Sequence, residues 1–171
     1  MTDLNAVLTN ADGDFDNSLG RLFQLVRIPS ISTDPAHNAD CETAARTIVA
    51  DLKSLGFEAE LRETPGRPMV VAHYTPKTAT KSTPHLLFYG HYDVQPADPL
   101  DLWNTPPFEP VRKKDADGVE RMYGRGTADD KGQFMTFVEA ARAWINTTGS
   151  LPIKATFLIE GEEESGSPSL V

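Results

Sequence analysis

Three short stretches of this chain concentrate the side chains that bind metals or move protons. Gly90-His91-Tyr92-Asp93-Val94-Gln95-Pro96 places a carboxylate two residues after an imidazole. Gly124-Arg125-Gly126-Thr127-Ala128-Asp129-Asp130-Lys131-Gly132 sets two aspartates behind two glycines. Glu160-Gly161-Glu162-Glu163-Glu164-Ser165 carries four glutamates within five positions. In extended chain, residues i and i+2 share a face, so His91 and Asp93 can point together. A carboxylate behind an imidazole is the usual support of a histidine metal ligand. Each stretch also has an ordinary reading. His91 can be a strand-end histidine with surface hydrogen bonds. Asp129 and Asp130 can cap a following helix, though one suffices and the other is then free. The glutamates can be a solvated acidic loop. Taken together, one histidine and several carboxylates form an N/O donor set suited to zinc, manganese or cobalt. A phosphate cradle does not fit, because no Gly-Lys-Ser/Thr follows the glycines and Lys131 comes after both aspartates.

Such side chains need elements to carry them. Phe15, Leu19, Leu22, Phe23 and Val26 recur at helical spacing and predict a helix over 14–27, with residues 1–12 a frayed start. Asn38 or Asp40 can cap a second helix whose apolar face runs from Cys41 to Leu55 and which Gly56 stops. Strands are expected over 57–62, 69–74 and 86–90. The last two read as apolar runs buried on both faces. Residues 75–84 form a surface turn and 96–107 an irregular loop. Residues 110–114 and 119–123 flank Asp115-Ala116-Asp117-Gly118 as a hairpin. A third helix covers 130–146, and a strand over 153–159 leads into the glutamates. Ser165-Gly166-Ser167-Pro168 reads as the turn into a further helix. Helices alternating with apolar strands imply an α/β layered αβα domain around a mostly parallel or mixed sheet. Ligand sites in such folds lie beyond the carboxyl ends of strands, where the chemical stretches fall.

Bulk properties narrow the function classes. The net charge of −9 and the absence of a dense Lys/Arg run exclude a nucleic-acid surface. No stretch is long and apolar enough to span a membrane, and residues 1–17 lack a signal-peptide pattern, so a cytoplasmic location is expected. Cys41 is the single cysteine; it excludes an intrachain disulfide and a cysteine zinc cluster and reads as a buried core thiol.

GHYDVQP, GRGTADDKG and EGEEESGS, in this order, resemble the motifs of the zinc hydrolases related to aminoacylase, carboxypeptidase G and acetylornithine deacetylase. HYDVQP, WNTPPFEP and the hairpin before YGRG are most similar to carnosinase-type dipeptidases. The resemblance covers about residues 15–171 and implies a zinc-exopeptidase-like catalytic domain with two Zn2+ per complete site, Mn2+ or Co2+ being possible substitutes. It implies metal-dependent hydrolysis of amide bonds in dipeptides or small peptides, and a homodimer. Residue by residue, it makes His91 a ligand of one metal and Asp93 the catalytic-site carboxylate that orients it. Asp129 becomes the bridging ligand, often followed by a cis peptide bond. Glu163 becomes the general base and Glu164 a ligand of the second metal; Glu162 and Glu160 are peripheral.

The resemblance leaves each metal one protein ligand short of the usual three: His91 and Asp129 for one, Asp129 and Glu164 for the other. His37, His73 and His85 do not fill the gap. Residues 13–171 are therefore expected to be the N-terminal portion of a catalytic domain, without its lid or dimerisation domain and C-terminal half. Such a chain is expected to bind metal weakly, to be inactive alone, and to leave apolar edges prone to self-association. Two other readings stay open: an N-acyl amino acid deacylase, and a non-catalytic zinc-binding or interaction module.

Overall fold

The computed structural model describes residues 4–170. Helix α1 (Leu4–Gly13) occupies the expected frayed start and buries Val7. Helix α2 (Phe15–Val26) follows with Leu19, Leu22, Leu25 and Val26 inward. Helix α3 (Asn38–Ser54) buries Cys41, Ala44, Ala45, Ile48 and Leu52. Its entry differs from the expected Asn38 or Asp40 cap: Asp34 caps a short 3-10 turn, accepting the Ala36 N–H at 2.9 Å, and that turn runs into the helix. Gly56, at φ 85°, ends it with the left-handed conformation that a side chain disfavours.

Strands β1 (Glu58–Arg62), β2 (Met69–Tyr74), β3 (His85–His91) and β6 (Lys154–Glu160) form one sheet in the order β1-β2-β6-β3. The sheet is mixed: β1–β2 and β2–β6 are antiparallel, and only β3–β6 is parallel. Strands β4 (Val111–Lys114) and β5 (Glu120–Tyr123) make the expected hairpin. Helix α4 (Lys131–Thr148) buries Phe134, Met135, Val138 and Ala141.

Helices α2, α3 and α4 share one core with Ala59, Val70, Ala72, Ala155, Phe157 and Ile159, alternate residues on one face of the sheet. Phe157 stacks on Phe88 at 5.0 Å and meets Phe57 edge-on at 5.4 Å. The opposite face is half-buried or exposed, so the described residues supply two of the three expected layers. Strand β3 is not buried on both faces: it is the sheet's edge strand, and Leu86, Leu87 and Tyr89 are exposed. After β6 the chain makes a 3-10 turn over Glu163–Ser165, and Gly166 and Ser167 at φ 90° and 50° divert it, so the described residues begin no helix there.

Candidate metal centre

The parallel pairing of β3 with β6 brings the first and third stretches together. Their last register pair is His91 with Glu160, and the Tyr92 N–H then donates to the Glu160 carbonyl at 2.8 Å. Two chain ends 69 residues apart in sequence thus leave the sheet side by side. The second stretch arrives with the start of α4. Gly90 makes that approach possible, because a Cβ there would lie 2.7 Å from Phe134 Cβ and 2.8 Å from Asp130 Oδ2.

Neither aspartate caps α4 with its side chain. The buried Asp130 carboxylate instead accepts the His91 backbone N–H at 2.9 Å, and burial raises its pKa. Asp129 is the free one: its side chain is largely exposed and its Oδ1 lies 3.0 Å from His91 Nε2. The peptide bond between the two is cis.

Asp93 organises the rest. Its carboxylate is fully buried, accepts three hydrogen bonds and faces His91 Nδ1, which also lies 3.2 Å from the Asp93 carbonyl oxygen. Oδ2 accepts the Ser32 hydroxyl at 2.6 Å and the Glu164 N–H at 3.0 Å. Oδ1 accepts the Glu163 N–H at 3.2 Å and faces His91 Nδ1 at 3.3 Å. Glu163 and Glu164 are therefore tied by their backbone to the carboxylate that faces the histidine. The solvated-loop reading fails for this stretch. Glu160 and Glu162 are buried, and Glu160 accepts the Tyr89 and Ser167 hydroxyls at 2.5 and 2.8 Å.

Glu163 is exposed and Glu164 half-buried at the rim of this cluster. Glu163 Oε2 stands 3.8 Å from His91 Nε2. Glu164 Oε2 accepts from Gln95 Nε2 at 2.7 Å. Ligand atoms of His91, Glu163 and Glu164 all lie within 4.8 Å of one another, with Asp129 on the same imidazole nitrogen. Burial pulls the His91 imidazole toward the neutral form, but Asp93, helped by Asp130 and Glu163, outweighs it and raises the pKa to about 9. The carboxylates of Asp129 and Glu163 at Nε2 would equally suit a divalent cation, which would have to displace the ring's proton. No thiolate competes: Cys41 is fully buried in α3, and burial pushes its thiol up to about 11.

Several contributors were not visible in the linear pattern. Ser32 lay in an ordinary-looking Ser-Thr-Asp-Pro loop. Lys131 is fully buried, donates to the carbonyls of Leu25 and Ile28 at 3.0 and 2.7 Å, and so ties the start of α4 to the end of α2. Desolvation depresses its ammonium to about 7. Its one signal was position, since 131, 134, 135 and 138 share the inward face of α4.

Residues 87–171 match the model of peptidase family M20/M25/M40. The match places residues 87–171 within this family of peptidases. It is 34% identical over 163 residues to the Cys-Gly metallodipeptidase DUG1 of Candida albicans, covering 88% of this chain and 32% of that protein. It is 40% identical over 103 residues to human Beta-Ala-His dipeptidase, covering 60% of this chain and 19% of that protein. The crystal structure of human carnosine dipeptidase 1 superposes with a TM-score of 0.87 at 29% identity, over 98% of this chain and 36% of that one. The chain thus spans about a third of the length of the relatives it matches. No helix among the described residues is long and apolar enough to cross a membrane.

Proposed function

We propose that this chain carries the metal-binding and base-bearing part of a dipeptidase active site that hydrolyses the amide bond of dipeptides or small peptides. The observation that carries the reading is the gathering of His91, Glu163 and Glu164 on one buried carboxylate, Asp93, with Asp129 on the outer nitrogen of the same imidazole. The donors are one imidazole and several carboxylates, which fits a zinc pair, with manganese or cobalt as substitutes. His91 and Asp129 would hold one ion, and Asp129 and Glu164 the other. Bound metal would supply polarisation of the scissile carbonyl and acidification of water.

Glu163 is the proposed base. Its backbone is fixed on Asp93, while its exposed carboxylate accepts no hydrogen bond among the described residues. That leaves an oxygen to take a proton from water and return it to the leaving amine nitrogen. Glu164 is held differently, by Gln95, as suits a residue with a fixed position. Asp93 holds the imidazole in line from behind, and Asp130 braces the backbone that carries it.

Each ion would have two protein ligands here, fewer than the three usual for catalytic zinc. The 171-residue chain alone is expected to bind metal weakly and to turn over no peptide. Zinc titration of the chain and of Asp129→Asn and Glu164→Gln tests the site; uptake that neither substitution weakens would refute it. Cys-Gly, β-Ala-His and N-acetyl amino acids, assayed on the chain and on the full product of its reading frame, test the reaction. Hydrolysis of the N-acetyl compounds alone would favour a deacylase. Zinc uptake with no hydrolysis by either protein would favour a non-catalytic module.

A further inference from the structure

The loop after α2 lies far from the three chemical stretches in sequence, yet it runs directly beneath them. Ile31 bridges to Val94, and the Val94 N–H donates to the Ser30 carbonyl at 3.0 Å. Ser30 donates its hydroxyl to the Tyr92 carbonyl at 2.7 Å. Ser32, two residues on, donates instead to a side chain, Asp93 Oδ2, at 2.6 Å. Arg67, from the β1–β2 connection, pins the Ser32 carbonyl at 3.0 Å. Both serines are buried, but only one touches the machinery.

We propose that Ser32 is a positioning residue of the metal centre, setting the rotation of the Asp93 carboxylate and through it the placement of His91, Glu163 and Glu164. This rests on the dipeptidase-type reading of the site, whose donors Asp93 braces. The reason is a count of lone pairs. A carboxylate offers about four acceptor positions, and here Glu163 N–H, Glu164 N–H, His91 Nδ1 and the Ser32 hydroxyl face them. The Ser32 contact, at 2.6 Å, is at the short end for a hydroxyl donor, while the nitrogen contacts toward the site, at 3.0, 3.2 and 3.3 Å, lie at or beyond the usual N–H···O length. The final torsion of an aspartate is broad and weakly restrained by its own chemistry. Among the described residues, Ser32 is the one donor to that carboxylate from outside the first and third stretches. Without it the carboxylate is free to turn toward His91 and slacken its hold on the Glu164 N–H.

The experiment compares Ser32→Ala, Ser32→Cys, Ser32→Thr and Ser30→Ala in the 171-residue chain. Three quantities are read: Zn2+ affinity by chelator competition, amide hydrogen exchange of Glu163 and Glu164 in metal-free protein, and thermal unfolding. Loss of a partner behind a metal site typically weakens affinity roughly 10–100-fold. Ser32→Ala is expected to fall in that range and to speed exchange at Glu164 while the protection of α3 and β6 persists. Ser32→Cys, a weaker donor of similar size, is expected to fall between, and Ser32→Thr to restore affinity. Ser30→Ala removes an equally buried bond and is expected to lower thermal stability without changing zinc affinity. The inference is overturned if Ser32→Ala, or Ser32→Cys should the alanine variant not fold, matches the parent in Glu164 exchange and zinc affinity. It is also overturned if Ser30→Ala weakens zinc binding as much as Ser32→Ala. A parent chain that takes up no zinc would defeat the dipeptidase-type reading instead, and the exchange rates would still decide the role of Ser32.

Discussion

Replacing Asp93 by asparagine keeps the side chain's shape and removes its charge, and the structure sets the consequence. Whichever way the new amide lies, its NH2 faces donors. Toward His91 it would meet the Glu163 N–H and the imidazole Nδ1; toward the loop it would meet the Ser32 hydroxyl and the Glu164 N–H. The second orientation costs less, because a hydroxyl can rotate to accept while a backbone N–H cannot. That leaves the Glu164 N–H unpaired, at a cost of about 1–3 kcal/mol, and weakens the remaining charge-assisted bonds by roughly 1 kcal/mol. A total of about 2–4 kcal/mol corresponds to a fall in Tm of roughly 5–15 °C for a chain of this size. His91 supplies a second readout. With Asp93 neutralised, burial is opposed only by Asp130 and Glu163, so the imidazole pKa should drop from about 9 back toward 6.5. Thermal unfolding and an NMR titration of His91 in metal-free protein measure both. An unchanged melting point together with an unchanged His91 titration would refute Asp93 as the organiser of the site.

In a form of the protein that turns over, Glu163→Gln should lower kcat by about 10²–10⁴-fold while metal content stays constant; loss of metal instead would assign Glu163 the ligand role. Since metal must displace the His91 proton, zinc affinity should weaken by about tenfold per pH unit as pH falls below about 9, which chelator competition across pH reads directly. In metal-free protein the same raised pKa makes His91 stabilising below pH 6.5, a contribution lost as pH rises through about 9. Lys131 acts in the opposite sense: between pH 7 and 10.5 the unfolded chain binds the extra proton, so stability from this group rises with pH. Lys131→Met should abolish that rise, seen as a gap in Tm between parent and variant that widens from pH 7 to 10. Gly132→Ala should lower stability by about 1–3 kcal/mol, because a Cβ there would collide with the Thr127 carbonyl oxygen; denaturant unfolding measures it.

Much of this molecule was legible from residue order. Helical periodicity marked α2, α3 and α4, and Gly56 marked where α3 stops, because both signals are local. The hairpin of β4 and β5 followed from the Asp-Gly turn between them. The spacing of His91 and Asp93, and the resemblance of the three motifs, picked out side chains that the structure brings together. Helix α1 was missed although Leu4, Val7, Leu8 and Ala11 recur at helical spacing, because so short a helix depends on neighbours for its place and only Val7 of that stripe is buried. Strand β3 was misread as doubly buried because an apolar run has the same composition at an edge as in the centre of a sheet.

Residue identity alone fixes the donor types: one imidazole, several carboxylates and no available thiol, which limits the metals and the chemistry. Packing decides where each carboxylate sits. Asp130, in line to cap a helix, braces the His91 backbone, and Asp129 beside it stays exposed at the imidazole. Of four glutamates in one run, two are buried and two are anchored by their N–H groups to Asp93. Ser32 and Lys131 gained their places from packing across long sequence separations. The physical reason is that ligand type is a property of a single residue. Hydrogen-bond partner, burial and pKa are set by what the parallel pairing of β3 with β6 and the approach of α4 place within 3 Å or so of it.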